Sequence, residues 1–193
     1  CELDKIYTAD YYYVKFFDSD NGVIVCGYAK SNDTNESSRI YSTSNGGESW
    51  DIVGSGPATN IIKGVVYVSS DVGFFCYDYV EGMDSNLYKT DDGGKTFAKV
   101  MLEEQELDSS AANPQGQETE TKTDSGKNGA DSSEQLRWGD VYKEALTPVV
   151  DSTGIITIYL TQGKNAVYND GKTAAKYQSS DKGSTWKYIG QVE

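Results

Sequence analysis

The chain has 193 residues, enough for one domain with a core, and its 30 acidic and 17 basic side chains give a net charge of −13. That balance argues against nucleic acid and anionic membrane surfaces as partners, because phosphate binding needs clustered Lys and Arg. Fifteen Tyr, twenty Gly and no apolar run long enough for a membrane-spanning helix point to an all-β chain.

The chain opens on Cys1, followed by a polar stretch. Such a start is what removal of a bacterial lipoprotein signal peptide leaves, which makes Cys1 the candidate for lipidation, membrane anchoring and a cell-surface or extracellular location. A truncated chain or a partial reading frame that begins at Cys is the other reading. The first unit then runs from Phe16-Phe17 through Asp18-Ser19-Asp20-Asn21-Gly22 to Val23-Ile24-Val25: apolar strand, polar turn, apolar strand. The turn resembles the start of a calcium loop, but Gly22 stands where a third oxygen ligand belongs and Ala29 where a closing Glu belongs. It reads as a turn. The sequons Asn32-Asp33-Thr34 and Asn35-Glu36-Ser37 receive no role, since Asn- and Ser-rich loops produce them freely. The unit closes on a box, Tyr41-Ser42-Thr43-Ser44-Asn45-Gly46-Gly47-Glu48-Ser49-Trp50.

The second unit repeats the order. Val65-Val66-Tyr67-Val68, a turn at Ser69-Ser70-Asp71 and Val72-Gly73-Phe74-Phe75 precede the box Tyr88-Lys89-Thr90-Asp91-Asp92-Gly93-Gly94-Lys95-Thr96-Phe97. Residues Met101 to Gln135 then carry nine acidic and two basic side chains and no aromatic ring. That composition does not repay the entropy of ordering, so 102–135 is expected to be a disordered acidic loop insert. It also explains why Asn45 and Asp92 are 47 residues apart but Asp92 and Asp181 are 89. A decayed blade around Thr123-Asp124-Ser125-Gly126-Lys127 is the weaker alternative, having neither an aromatic nor a flanking apolar strand. The third unit begins at Pro148-Val149-Val150, turns at Asp151-Ser152-Thr153-Gly154, continues through Ile155-Ile156-Thr157 and ends on Tyr177-Gln178-Ser179-Ser180-Asp181-Lys182-Gly183-Ser184-Thr185-Trp186.

In register, each box is Tyr, Ser/Thr, Asn/Asp, Gly, Ser/Thr and Trp/Phe, with a β-branched residue three further on at Val53, Val100 and Ile189. A repeat of this kind settles architecture before anything else. Asn45, Asp92 and Asp181 can hold a turn by accepting from backbone N–H groups a few residues ahead. Gly47, Gly94 and Gly183 suit positive φ. Thr43, Thr90 and Ser179 close the first strand, Ser49, Thr96 and Thr185 open the next, and Trp50, Phe97 and Trp186 are expected to bury their rings. The expected fold is a partial β-propeller of about three four-stranded antiparallel blades, near 10–56, 61–101 and 136–193, in a single domain 1–193.

These boxes resemble the Asp-box, or bacterial neuraminidase repeat, of sialidases, sortilin-type receptors, xyloglucanases and photosystem II assembly-factor-type propellers. The second and third copies match Ser/Thr-x-Asp-x-Gly-x-Thr-Trp/Phe throughout; the first has Asn45 for Asp and Ser49 for Thr. The resemblance covers nearly all of the chain outside the insert. It implies that the boxes are structural and sit on the outer rim, away from a ligand face, so they say little about activity. Sialidases of this kind clamp a substrate carboxylate with three Arg, and this chain has two, Arg39 and Arg137.

The chain has no His, which removes the commonest general base and metal ligand. No phosphate loop or zinc-type Cys pair occurs, and neither a metal nor a cofactor is expected. Cys26 and Cys76 fall four and three residues past Gly22 and Gly73, on opposite strand faces, and are expected to be buried thiols rather than a disulfide. No residue is assigned a catalytic role. The expected function is a non-catalytic surface or secreted binding and scaffold module for protein or glycan. Its alternative is a fragment of a sialidase-like glycoside hydrolase whose catalytic residues lie mostly outside this chain; an assembly chaperone is a third reading. Three blades leave end faces open, which calls for further blades or self-association.

Overall fold

A computed structural model describes residues 9–28, 38–107, 137–163 and 168–193. It is nearly all-β, with three antiparallel sheets. The first is the meander β1 (Tyr11–Phe16), β2 (Gly22–Gly27), β3 (Ser38–Thr43) and β4 (Asp51–Ser55). The second repeats it as β5 (Ile62–Tyr67), β6 (Gly73–Tyr77), β7 (Leu87–Thr90) and β8 (Ala98–Lys99). After one helical turn, α1 (Trp138–Val141), the third sheet is built from β9 (Glu144–Ala145), β10 (Val149–Val150), β11 (Ile156–Thr161), β12 (Ala174–Ser179) and β13 (Lys187–Val192). The array is an unclosed, propeller-like stack of three such sheets.

The third unit departs from a plain four-stranded reading. Its first strand is split: β10 pairs with the start of β11 through Val149–Thr157, and β9 with its end through Ala145–Leu160. Pro148 lies in the break, where a residue lacking an N–H cannot continue the ladder.

Alternation along the strands gives each sheet two faces, and the core lies between neighbouring sheets. Val23, Val25 and Ile40 of the first sheet meet Val65, Tyr67, Phe75 and Tyr77 of the second. Phe74, Cys76 and Leu87 on the opposite face of the second sheet meet Ala145, Ile156 and Ile158 of the third. The first strands of the first two sheets run side by side. The Tyr11 hydroxyl accepts from Val65 N–H at 3.1 Å, the Tyr13 hydroxyl from Tyr67 N–H at 3.0 Å, and Lys15 Nζ donates to the Tyr67 carbonyl at 2.6 Å.

The thiols follow their one-residue offset. Cys26 pairs across to Tyr12 on the outward face of the first sheet, whereas Cys76 faces the third sheet; both are buried and free. Burial pushes each thiol up to about 11, so both stay protonated near neutral pH. Cys1 and the insert beyond Leu107 lie outside the described residues. The described start of that segment is packed: Leu102 and Leu107 lie against the third sheet, and the Glu103 carbonyl accepts from the Tyr177 hydroxyl at 2.7 Å.

Candidate functional site

The three boxes form one and the same turn. In the second, Asp92 Oδ1 accepts from the N–H groups of Lys95 and Thr96 at 3.0 and 2.8 Å, and Oδ2 accepts from the Thr96 hydroxyl at 2.6 Å. Thr90 Oγ1 donates to Asp92 Oδ1 at 2.8 Å and accepts from Gly94 N–H at 2.8 Å. Ser179, Asp181, Gly183 and Thr185 repeat these bonds at 2.6 to 2.9 Å. In the first box Thr43 Oγ1 accepts from Gly47 N–H and Asn45 Oδ1 from Ser49 N–H, while Asn45 Nδ2 donates to the Ser49 hydroxyl at 2.8 Å. Asn45 keeps the acceptor and trades the second carboxylate oxygen for a donor, which Ser49 can receive.

The box glycines are needed on two counts. Gly94 and Gly183 have φ of +107° and +77°, and a Cβ on either would run into the preceding sheet, at Ile40 or Phe74. The rings behave unequally. Trp50 is buried, while Phe97 and Trp186 are half-buried. Phe97 packs edge-on to Phe75 at 4.9 Å, and Trp186 reaches back to Phe74 of the second sheet at 6.0 Å. Of the residues three positions on, Val100 is buried, Val53 half-buried and Ile189 exposed. The repeated Ser/Thr, Asn/Asp and Gly positions of each box thus bond to one another within their own turn.

Alternate turns of a meander lie at opposite ends, so the boxes and the β1–β2-type turns share one end. Gly46 N–H donates to the Asp20 carbonyl and Gly93 N–H to the Asp71 carbonyl, both at 2.8 Å. The calcium-like stretch sits here as a plain turn: Asp18 Oδ1 accepts from the N–H groups of Asp20 and Asn21 at 2.8 and 2.7 Å. No cluster of three or more His, Cys, Asp or Glu suited to a metal occurs among the described residues.

The opposite end holds a cleft of about 330 Å³ between the second and third sheets. Three segments shape it: the β6–β7 connection, the stretch after β8, and the stretch around α1. Tyr79, Glu104, Arg137, Asp140 and Lys143 line it, with Trp138 and Tyr142 forming its floor. Trp138 stacks tilted on Tyr142 at 4.6 Å and edge-on to Tyr188 at 5.4 Å. Lys143 pairs with Glu81 at 3.0 Å, and Asp84 with Lys99 at 2.8 Å, which holds the Asp84 carboxyl below the usual carboxylate range.

Asn86 carries no signal in the sequence that would single it out. Fully buried beside the cleft, it donates through Nδ2 to the carbonyls of Tyr77 and Ala145 at 2.8 and 2.9 Å and accepts from Ala145 N–H at 2.8 Å. Its amide thus substitutes for a strand pairing between the second and third sheets. No periodic signal marks it; only its partner 59 residues away does.

Arg137 lines the cleft, whereas Arg39 lies on β3 of the first sheet beside Cys26, so the two guanidinium groups belong to different places. No protein-family model matches this chain, and no curated protein does. Among solved structures it is similar to the crystal structure of the Niastella koreensis GH74 enzyme, with a TM-score of 0.44 and 16% identity over 86% of this chain. The chain spans 19% of that protein's length. The architecture rests on the strand pairing itself, not on that likeness.

Proposed function

We propose that this chain is part of an Asp-box β-propeller serving as a non-catalytic binding module, with the cleft opposite the boxes as its ligand face and a protein or glycan as its ligand. The cleft carries the reading: it combines ring surface at Tyr79 with carboxylates at Glu104 and Asp140 and cations at Arg137 and Lys143. Such mixed linings suit hydroxyl-rich or polypeptide ligands, which need bonding groups spaced over an apolar floor. Turnover asks for more. A general acid needs a raised carboxyl, and Asp84 is shifted the other way by Lys99. The Cys26 and Cys76 thiols are buried and protonated, His is absent, and Arg39 and Arg137 do not converge on a substrate carboxylate.

A glycan array and a panel of fluorogenic glycosides on the purified chain test this together. Binding weakened by Tyr79→Ala or Glu104→Gln, without hydrolysis, is the expected result. Turnover abolished by Glu104→Gln or Asp140→Asn would overturn it in favour of the glycoside hydrolase fragment.

A further inference from the structure

The chain has two methionines, and both line the cleft: Met83 from the β6–β7 connection and Met101 from the stretch after β8. Met101 is 64% exposed; Met83 is half-buried, its thioether accepting from the Asn60 amide at 3.3 Å. Half-buried Leu102 and Leu160 extend this aliphatic wall. A thioether on an unbranched, freely rotating stem moulds itself to whatever apolar group enters, which is why methionine recurs at surfaces that take apolar side chains of varied shape.

The rings of the cleft are used differently. Trp138 and Tyr142 are buried and stack on one another, with Tyr188 and Tyr168 edge-on to them. A sugar lays its C–H groups on an open aromatic face, whose negative π surface attracts them. Of the three rings lining the cleft only Tyr79 is left partly open, and the most exposed apolar side chain there is Met101. The apolar surface on offer is therefore aliphatic and adaptable, not flat.

Charge adds a second requirement. Lys143 is neutralised by Glu81, and Asp84 by Lys99. No ion pair among the described residues engages Glu104, Asp140 or Arg137, all of them exposed. Glu104 lies against α1: a Cβ on Gly139 would meet its Oε1 at 2.7 Å, so the missing side chain makes room for this carboxylate next to Asp140. Two unpaired carboxylates face one guanidinium, in a chain of net charge −13, and a cationic group is what this field draws in.

Resting on the reading of the cleft as a ligand face, we propose that its ligand is a polypeptide segment in which a large apolar side chain stands next to Lys or Arg. The apolar side chain seats against Met83 and Met101, and its basic neighbour meets Glu104 and Asp140. Arg137 serves the peptide's carbonyls, which a guanidinium with its fixed fork of N–H donors suits. The cleft's volume of about 330 Å³ takes one such side chain and its neighbours rather than a folded surface.

Because both methionines line the cleft, labelling their methyl groups with ¹³C places a reporter on the site, the two signals being assigned with Met83→Leu and Met101→Leu. Into the full chain are titrated capped pentapeptides Gly-Lys-Xaa-Lys-Gly with Leu, Phe or Trp in the centre. Gly-Glu-Xaa-Glu-Gly, Gly-Lys-Ser-Lys-Gly, chitohexaose and cellohexaose are titrated for comparison. The Lys peptides with an apolar centre should shift both methyls, with dissociation constants of about 0.1–1 mM, as suits a ligand with few anchored atoms. They should bind at least about tenfold more tightly than the Glu peptides and than the Ser-centred one. Glu104→Gln/Asp140→Asn should cut the preference for Lys over Glu to below about threefold, and Met101→Ser should weaken the Leu peptide by about fivefold. These positions are exposed, and far-UV circular dichroism verifies that each variant is folded. Tighter binding of the Glu peptides, or a Lys preference that survives loss of both carboxylates, overturns the inference. Shifts produced by an oligosaccharide and by no peptide also overturn it, yet leave the cleft a ligand face. Silence from every probe overturns it too, and the reading of the cleft falls with it only if the glycan array is silent as well.

Discussion

Asp92 and Asp181 collect backbone and hydroxyl donors within five residues, and their carboxyls are held far below the usual range, first by the Thr96 and Thr185 hydroxyls. Both sit at the surface, so the consequence is best read as a pH dependence. A depressed folded pKa contributes stability that is complete above the unfolded value, about 3.9, and is lost as pH falls towards the folded value. Acid should therefore loosen the second and third boxes, while Asn45 leaves the first indifferent. Thermal melts of Asp92→Asn/Asp181→Asn, which copies the first box, should show a smaller fall in melting temperature from neutral to about pH 3 than the wild type. An equal fall would move the acid-sensitive groups to Asp18 and Asp151, whose carboxyls are also lowered by turn donors. The box was legible residue by residue because all its partners lie within five positions. The unequal burial of Trp50, Phe97 and Trp186 was not, since it depends on what the adjoining sheet places over each ring.

At the scale of elements, the join between the second and third sheets depends on one amide. Asn86→Leu keeps the volume nearly constant but strands the Ala145 N–H and leaves two carbonyls short of a donor in a buried place. Losses of this kind cost about 1–3 kcal/mol per buried group, and a total near 3 kcal/mol is expected. Urea unfolding measures it; a change below about 1 kcal/mol would mean that the packing of Phe74 on Trp186 and of Cys76 and Leu87 on Ile156 and Ile158 alone holds the sheets together. The alternating apolar segments made the strands readable. The break at Pro148 and the clamp at Asn86 were harder to see, because the former needs the pairing of β11 and the latter a partner in another unit.

For the molecule as a whole, the stretch after β8 divides into two parts. Residues 102–107 help wall the cleft and pack on the third sheet, so trimming them should harm both. Residues 108–135 retain only their acidic, ring-free composition as a guide. Replacing them with a Gly/Ser linker of about a dozen residues should shift the melting temperature by no more than a few degrees, since loop length enters stability only logarithmically. Loss of a single cooperative transition would show that this stretch belongs to the fold.

What the sequence by itself determined is what repeats at short range: three units, strand–turn–strand segments, a box turn built from its own side chains, and thiols offset to opposite faces. Each of these follows from φ/ψ preference, period-two alternation and hydrogen bonds within a few residues. Tertiary structure alone decided which face of each sheet is covered, where the Asn86 clamp lands and that a cleft opens away from the boxes. Those outcomes come from contacts between residues tens of positions apart, and a repeat that looks alike in every unit does not encode which of its copies has a neighbour.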